Sequence, residues 1–118
     1  MPIIEYDTYK QKLIALEPEL NKLAAALDLE GAKKEVAELE AKTAEEGFWS
    51  DLENSQKVLQ RTKQLKNKLS RHAKLVSQWE VLSTLVEMAL EEADASLQPE
   101  LEEGYKALEA TVEEANLA

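Results

Sequence analysis

Apolar residues recur along this chain at alternating steps of three and four, the spacing that places them on one face of an α-helix. In the first segment this stripe comprises Tyr6, Tyr9, Leu13, Leu16, Leu20, Leu23 and Leu27. Pro18 lies off the stripe, so it either kinks the helix outward or restarts it at Glu17. We predict a first helix over residues 4–27 and leave open whether Pro18 breaks it.

The rhythm continues through a second and a much longer third segment. Asp28 is suited to cap a second helix over residues 29–46, with Glu30 near its positive end. The third helix is predicted over residues 52–93, a stretch that contains neither proline nor glycine. Two mostly apolar rows with a spacing of seven residues are expected to face the core, and we call them the core rows. They are Val58, Leu65, His72, Trp79 and Val86, and Thr62, Leu69, Val76, Ser83 and Leu90. A helix of roughly 40 residues is about 60 Å long, which predicts an elongated molecule.

A last amphipathic helix is predicted over residues 97–116, where Pro99 is tolerable in the first turn. Its apolar face comprises Leu101, Tyr105, Leu108, Val112 and Ala115. Short connections make sequential helices antiparallel neighbours. The fold class predicted for the 118 residues is therefore all-α: one domain, an elongated antiparallel bundle of three to four helices with coiled-coil-like packing around one long helix.

A short island of different composition separates the second and third helices. It consists of Gly47, Phe48, Trp49, Ser50 and Asp51 and holds the only phenylalanine of the chain. Gly47 can adopt positive φ and end the preceding helix, and Ser50 can form a capping box with the glutamate three residues later. We interpret the island as a structural corner, with both aromatic side chains as its apolar plug.

Composition and charge limit the classes of protein to which this chain can belong. The chain has no cysteine, no apolar run long enough to span a membrane and no evident signal peptide, so we expect a cytoplasmic protein with no membrane partner. Its formal net charge is −10. Eleven acids and one base, Lys106, follow from position 80 onwards. An acid-free basic stretch precedes them: Lys57, Arg61, Lys63, Lys66, Lys68, Arg71 and Lys74.

The basic stretch is the one candidate functional surface in the sequence. One interpretation is intramolecular, with the acidic last helix lying beside the basic stretch and neutralising it. The other is an electrostatic contact with RNA or with an acidic protein. Both interpretations remain open from the sequence.

The sequence contains no residue pattern typical of a catalytic site. His72, the only histidine, falls on a core row without a second metal ligand or carboxylate at a suitable spacing. The three glycines are isolated, so no phosphate-binding loop is expected. We therefore predict no catalytic residue, no metal, no cofactor and no small-molecule substrate.

Several short motifs resemble the N-terminal domain of bacterial peptide chain release factor 2, a class I release factor. They are Leu27-Asp28, Lys33-Lys34-Glu35, the island from Gly47 to Asp51, and Ser55-Gln56-Lys57. The resemblance implies a helical arm of a factor that, at full length, recognises UGA and UAA codons and promotes peptidyl-tRNA hydrolysis on the ribosome. It also implies contacts with the ribosome and with the GTPase that recycles release factors.

The same resemblance predicts that this domain is not catalytic. The family's chemistry belongs to a Gly-Gly-Gln loop and its codon reading to a Ser-Pro-Phe loop, and neither tripeptide occurs here. The alternative interpretation is a coiled-coil scaffold or tether unrelated to translation. It depends on the apolar stripes alone and predicts strong self-association.

Overall fold

A computed structural model describes residues 2–117 of the chain, and side chains from Tyr6 to Leu117. Helix α1 spans Pro2–Ala26, α2 Leu29–Thr43, α3 Leu52–Glu92 and α4 Gln98–Leu117. Two 3-10 turns, Phe48–Ser50 and Ala95–Leu97, precede α3 and α4. No strand occurs in the described part of the chain. The predicted all-α helical fold is confirmed.

The helices form where the apolar stripes predicted them. None of the stripe residues quoted above for the first, third and last predicted helices is exposed. Pro18 lies on an exposed position inside α1, which continues through it from Pro2 to Ala26. Burial of one face therefore stabilises α1 in spite of the hydrogen bond that proline cannot donate.

The joint between α1 and α2 depends on Asp28. This residue is in the left-handed region, with φ 50°, and its Oδ1 accepts a hydrogen bond from the N–H of Gly31 at 3.2 Å. A Cβ on Gly31 would lie 2.2 Å from Asp28 Oδ2. Aspartate tolerates the left-handed conformation better than most residues, so the predicted cap also makes the turn.

The first of two compact units contains α1 up to Leu23, α3 from Ala73 and α4. Lys10 pairs with Glu87 at 3.2 Å, and Trp79 Nε1 donates to the carbonyl oxygen of Leu13 at 2.6 Å. These contacts show that α1 and α3 are antiparallel here. The core of the unit is formed by Tyr6, Leu13, Leu20, Leu23, Leu75, Leu82, Val86, Ala89, Leu101, Leu108 and Val112.

The second unit extends from Ala24 to His72 and contains α2 and the first part of α3. Ala32 and Val36 of α2 pack against Leu65 of α3, with Leu39 and Leu69 alongside. This pairing of positions three and four apart is the packing that the sequence predicts.

Helices α2 and α3 each end in a way that the apolar pattern does not predict. The sequence predicts that the second helix extends to residue 46, whereas α2 ends at Thr43 and a turn follows. Helix α3 ends when Ala93 adopts φ 51°, and the N–H of Asp94 then bonds the carbonyl of Ala89 at 3.3 Å. This is the hydrogen bond of a Schellman motif, with alanine where glycine is usual.

Candidate functional site

Helix α3 carries the whole predicted basic stretch at positions outside its two core rows. Six of the seven bases lie in the second unit, and Lys74 lies in the first. Lys68 is half-buried, and the other six bases are exposed. The exposed bases extend their long side chains into solvent.

Arg61 makes the best-defined ion pair of this surface. Its Nε and Nη2 donate to the two carboxylate oxygens of Glu35 at 2.7 and 3.0 Å. This hydrogen bond lowers the pKa of the Glu35 carboxyl below its ordinary value, and the positive charges of Arg61 and Lys68 act in the same direction. The bond likewise raises the pKa of Arg61. The pair is a forked, charge-assisted link from α3 to α2.

Three lysines of the stretch also have partners. Lys66 pairs with Glu40 of α2 at 2.9 Å, and Lys57 pairs at 3.6 Å with a glutamate one turn earlier on α3. The ammonium group of Lys68 donates to the carbonyl of Leu27 at 3.1 Å. Glutamates of α2 thus pair with Arg61 and Lys66, where the sequence suggested those of the last helix.

The remaining bases keep their charge available. Among the described side chains, Lys63, Arg71 and Lys74 have no ion-pair partner. Lys63 and Arg71 lie eight residues apart on α3, about 12 Å along the axis and about 80° apart around it, and therefore on one broad side of the helix. We define these two residues as the cationic pair of the second unit. Exposed cations without an ion-pair partner on one side of a helix can contact a polyanion.

His72 and the acidic residues do not form a metal centre in the part of the chain that is described. His72 is half-buried, and no group of three or more histidine or carboxylate side chains in residues 6–117 could hold a metal ion. Trp79, the other aromatic residue of the core rows, uses its indole N–H to bond the backbone of α1. Its position on a core row therefore reflects packing.

The corner buries only one of the two aromatic side chains that the sequence predicts to be buried there. Gly47 has φ 85° and Phe48 is buried, but Trp49 is 57% exposed and meets Phe48 edge-on at a centroid distance of 4.8 Å. The expected plug of two aromatic residues is therefore wrong for Trp49. The 3-10 turn directs adjacent side chains to different sides, so only one of them can face α2 and α3.

The predicted capping box at Ser50 is also wrong. Helix α3 begins one residue later than a cap at Ser50 requires, and Asp51 Oδ1 accepts from the N–H of Asn54 at 3.1 Å. Buried Ser55 closes the corner instead, because its Oγ lies 2.7 Å from the carbonyl oxygen of Phe48 and 2.9 Å from that of Asp51. Serine and aspartate are both good caps, and the sequence did not distinguish them.

A second apolar stripe lies on α3, outside its two core rows. Val81 and Met88 are 63% and 47% exposed, and half-buried Leu85 lies between them. The signal was present in the sequence as apolar residues at i, i+4 and i+7, outside the two heptad rows.

Comparison with protein families gives the context of this surface. The profile of the PCRF domain family matches residues 32–118. The chain belongs to this family. The match includes the basic stretch, the corner and all of α3 and α4.

Curated relatives of this PCRF domain chain are named peptide chain release factor 2. The one from Clostridium perfringens (strain SM101) is 33% identical over 94% of this chain and 30% of its own length. Those from Lactiplantibacillus plantarum and Listeria innocua are 29% and 30% identical over 97% of this chain. The chain thus spans about a third of the length of these relatives. No solved structure matches it significantly.

The family match bears on the choice between a release-factor domain and a coiled-coil scaffold unrelated to translation. The resemblance to peptide chain release factor 2 is confirmed, and a scaffold unrelated to translation is not supported. None of the helices within residues 2–117 combines the length and the apolar character that a membrane crossing would require.

Proposed function

We propose that this PCRF domain chain is the non-catalytic, N-terminal helical module of a cytoplasmic translation termination factor. The full-length factor would recognise UGA and UAA codons and promote peptidyl-tRNA hydrolysis. Support for the module's lack of chemistry comes from its residues, because neither a Gly-Gly-Gln nor a Ser-Pro-Phe tripeptide occurs in it. Its contribution is then to position the factor through contacts with the ribosome, or with the GTPase that recycles it.

The unpaired cations of α3 carry this proposal. Arg61, Lys66 and Lys57 are already engaged by glutamates, whereas Lys63 and Arg71 project without a partner in the described structure. A chain of net charge −10 approaches RNA only where its cations are local and free. The cationic pair is therefore the part of the second unit best suited to contact ribosomal RNA phosphates.

Co-sedimentation with ribosomes over a salt series tests this contact. We expect weak binding at low salt, and each of Lys63→Gln and Arg71→Gln should reduce the slope of log affinity against log salt by about 1. Lys33→Gln is the matched control, since Lys33 is an exposed lysine on α2 outside the basic stretch. Equal slopes for the wild type, both variants and the control would refute the assignment.

A release assay tests the proposed lack of catalysis. Ribosomes programmed with UGA and carrying peptidyl-tRNA should show only background hydrolysis when this chain is added. Hydrolysis above background, in a preparation free of full-length factor, would contradict the non-catalytic role.

A further inference from the structure

The most prominent feature without an assigned role is the exposed apolar stripe of α3. Val81, Leu85 and Met88 are separated by four and three residues and therefore lie on one face of the helix. Val81 is 63% exposed and Met88 47% exposed, although neighbouring Leu82 and Val86 are buried in the core of the first unit. Large apolar side chains gathered on one exposed face indicate an interaction surface.

The stripe lines one side of a shallow, open groove within the first unit. One hollow of about 480 Å³ is lined by Glu80, Val81, Thr84, Leu85 and Met88 of α3 and by Glu100 of α4. We call it and its extension the α3–α4 groove.

The extension is a hollow of about 250 Å³ that shares Val81 and reaches Gly104 and Ala107 of α4. Gly104 lets α4 pack closely against α3, because a Cβ there would lie 2.5 Å from a methyl of Leu82. The groove follows α3 over positions 77–88, about 16 Å or three helical turns. Its length suits a helix of a partner.

The charge around the groove determines what that helix must carry. Glu80 and Glu100 line the groove, and Lys106 is the only base from position 80 to the end of the sequence, against eleven acids. A second copy of this chain would bring the same acidic half and a net charge of −10, which repels it. A helix with an apolar face flanked by lysine and arginine would complement both the apolar stripe and the two glutamates.

We propose that the α3–α4 groove docks a basic amphipathic helix of a partner protein. Val81, Leu85 and Met88 contact the apolar face of that helix, and Glu80 and Glu100 pair with its flanking cations. This goes beyond the ribosome contact proposed above, because it uses residues of the first unit, whereas the cationic pair belongs to the second.

The experiment uses a synthetic, fluorescein-labelled peptide of about four helical turns, with leucine at i, i+3, i+4 and i+7 and lysine or arginine elsewhere. Fluorescence anisotropy measures its affinity for the 118-residue chain. Two control peptides are a scrambled version and one with glutamate in place of every cation. We expect the amphipathic basic peptide to bind at least about tenfold more tightly than either.

Variants of the chain locate the binding. The double variant Val81→Ser, Met88→Ser should weaken binding by about tenfold, and the double variant Glu80→Gln, Glu100→Gln should weaken it at low salt and less at high salt. Ile14→Ser is the matched control, because Ile14 is a similarly exposed apolar residue of the same unit, at 54%, and does not line the groove. Circular dichroism checks that each variant keeps its helical content.

Three outcomes would overturn the proposal. Equal binding of the scrambled peptide would mean that charge alone attracts it. Unchanged binding by the Val81 and Met88 variant would remove the groove as the site. If sedimentation equilibrium found a dimer and this variant abolished it, the occupant of the groove would be a second copy of the chain. Loss of ribosome binding with peptide binding intact would leave this inference standing and contradict only the proposed function.

Discussion

The two adjacent aromatic residues of the corner should differ sharply in what they contribute to stability. Phe48 is 7% exposed and Trp49 57% exposed. Truncating a buried phenylalanine to alanine typically costs about 3–5 kcal/mol. Because Phe48 lies at a corner between α2 and α3, we expect Phe48→Ala to lower the free energy of unfolding by about 3 kcal/mol.

Trp49 should contribute much less, although it is the larger side chain. Full burial of a large apolar side chain contributes roughly 3 kcal/mol. Because 57% of Trp49 is exposed, its burial contributes less than half of that, about 1 kcal/mol. Its edge-to-face contact with Phe48 adds about 0.5 kcal/mol. We therefore expect Trp49→Ala to cost about 1.5 kcal/mol, about half of the Phe48→Ala cost.

Urea unfolding followed by far-ultraviolet circular dichroism measures both values. The slope of the free energy against urea should stay constant between variants, since a change in slope would indicate a change in the unfolded state or in two-state behaviour. Leu59→Ala serves as a control, because Leu59 is an exposed residue of α3. A cost for Trp49→Ala equal to or above that for Phe48→Ala would refute the reasoning from exposure.

Three further predictions concern single contacts. Asp51→Ala should cost about 1 kcal/mol in urea unfolding and Ser50→Ala much less, and the reverse order would restore Ser50 as the cap. Ala93→Gly should stabilise the chain by about 0.5–1 kcal/mol because glycine adopts positive φ without strain, and a lower unfolding midpoint would contradict this. The Glu35 carboxyl, whose pKa is lowered by Arg61, adds stability above its ordinary pKa that is lost as pH falls through the lowered value. In Arg61→Gln, NMR titration should find the Glu35 pKa closer to its ordinary value, and an unchanged pKa would exclude the pair as its cause.

The charge on α3 shows how local pairing changes the meaning of a sequence pattern. Seven bases in succession predict one continuous cationic surface, but Glu35 and Glu40 of α2 engage Arg61 and Lys66. Exposed pairs of this kind contribute little to stability. Their larger effect is that only Lys63, Arg71 and Lys74 of the stretch remain without an ion-pair or hydrogen-bond partner among the described side chains.

The sequence by itself determined the helices and the faces they bury. Steps of three and four place a residue on the same side of a helix whatever its neighbours are, so the stripes predicted burial from Tyr6 in α1 to Val112 in α4. Local chemistry was likewise sufficient for Asp28, whose carboxylate reaches the N–H of Gly31 within one turn. The family resemblance also depended on short motifs in the chain.

Only the tertiary structure decided which exposed groups remain without a partner. The sequence does not say that Trp49 points outward, that Asp51 rather than Ser50 caps α3, or that α2 supplies the glutamates for Arg61 and Lys66. Those outcomes depend on the angle at which elements meet and on the reach of long side chains between them, quantities that helical periodicity does not encode. For the same reason Val81 and Met88 become a candidate docking surface only once α4 has packed beside them and left the groove open.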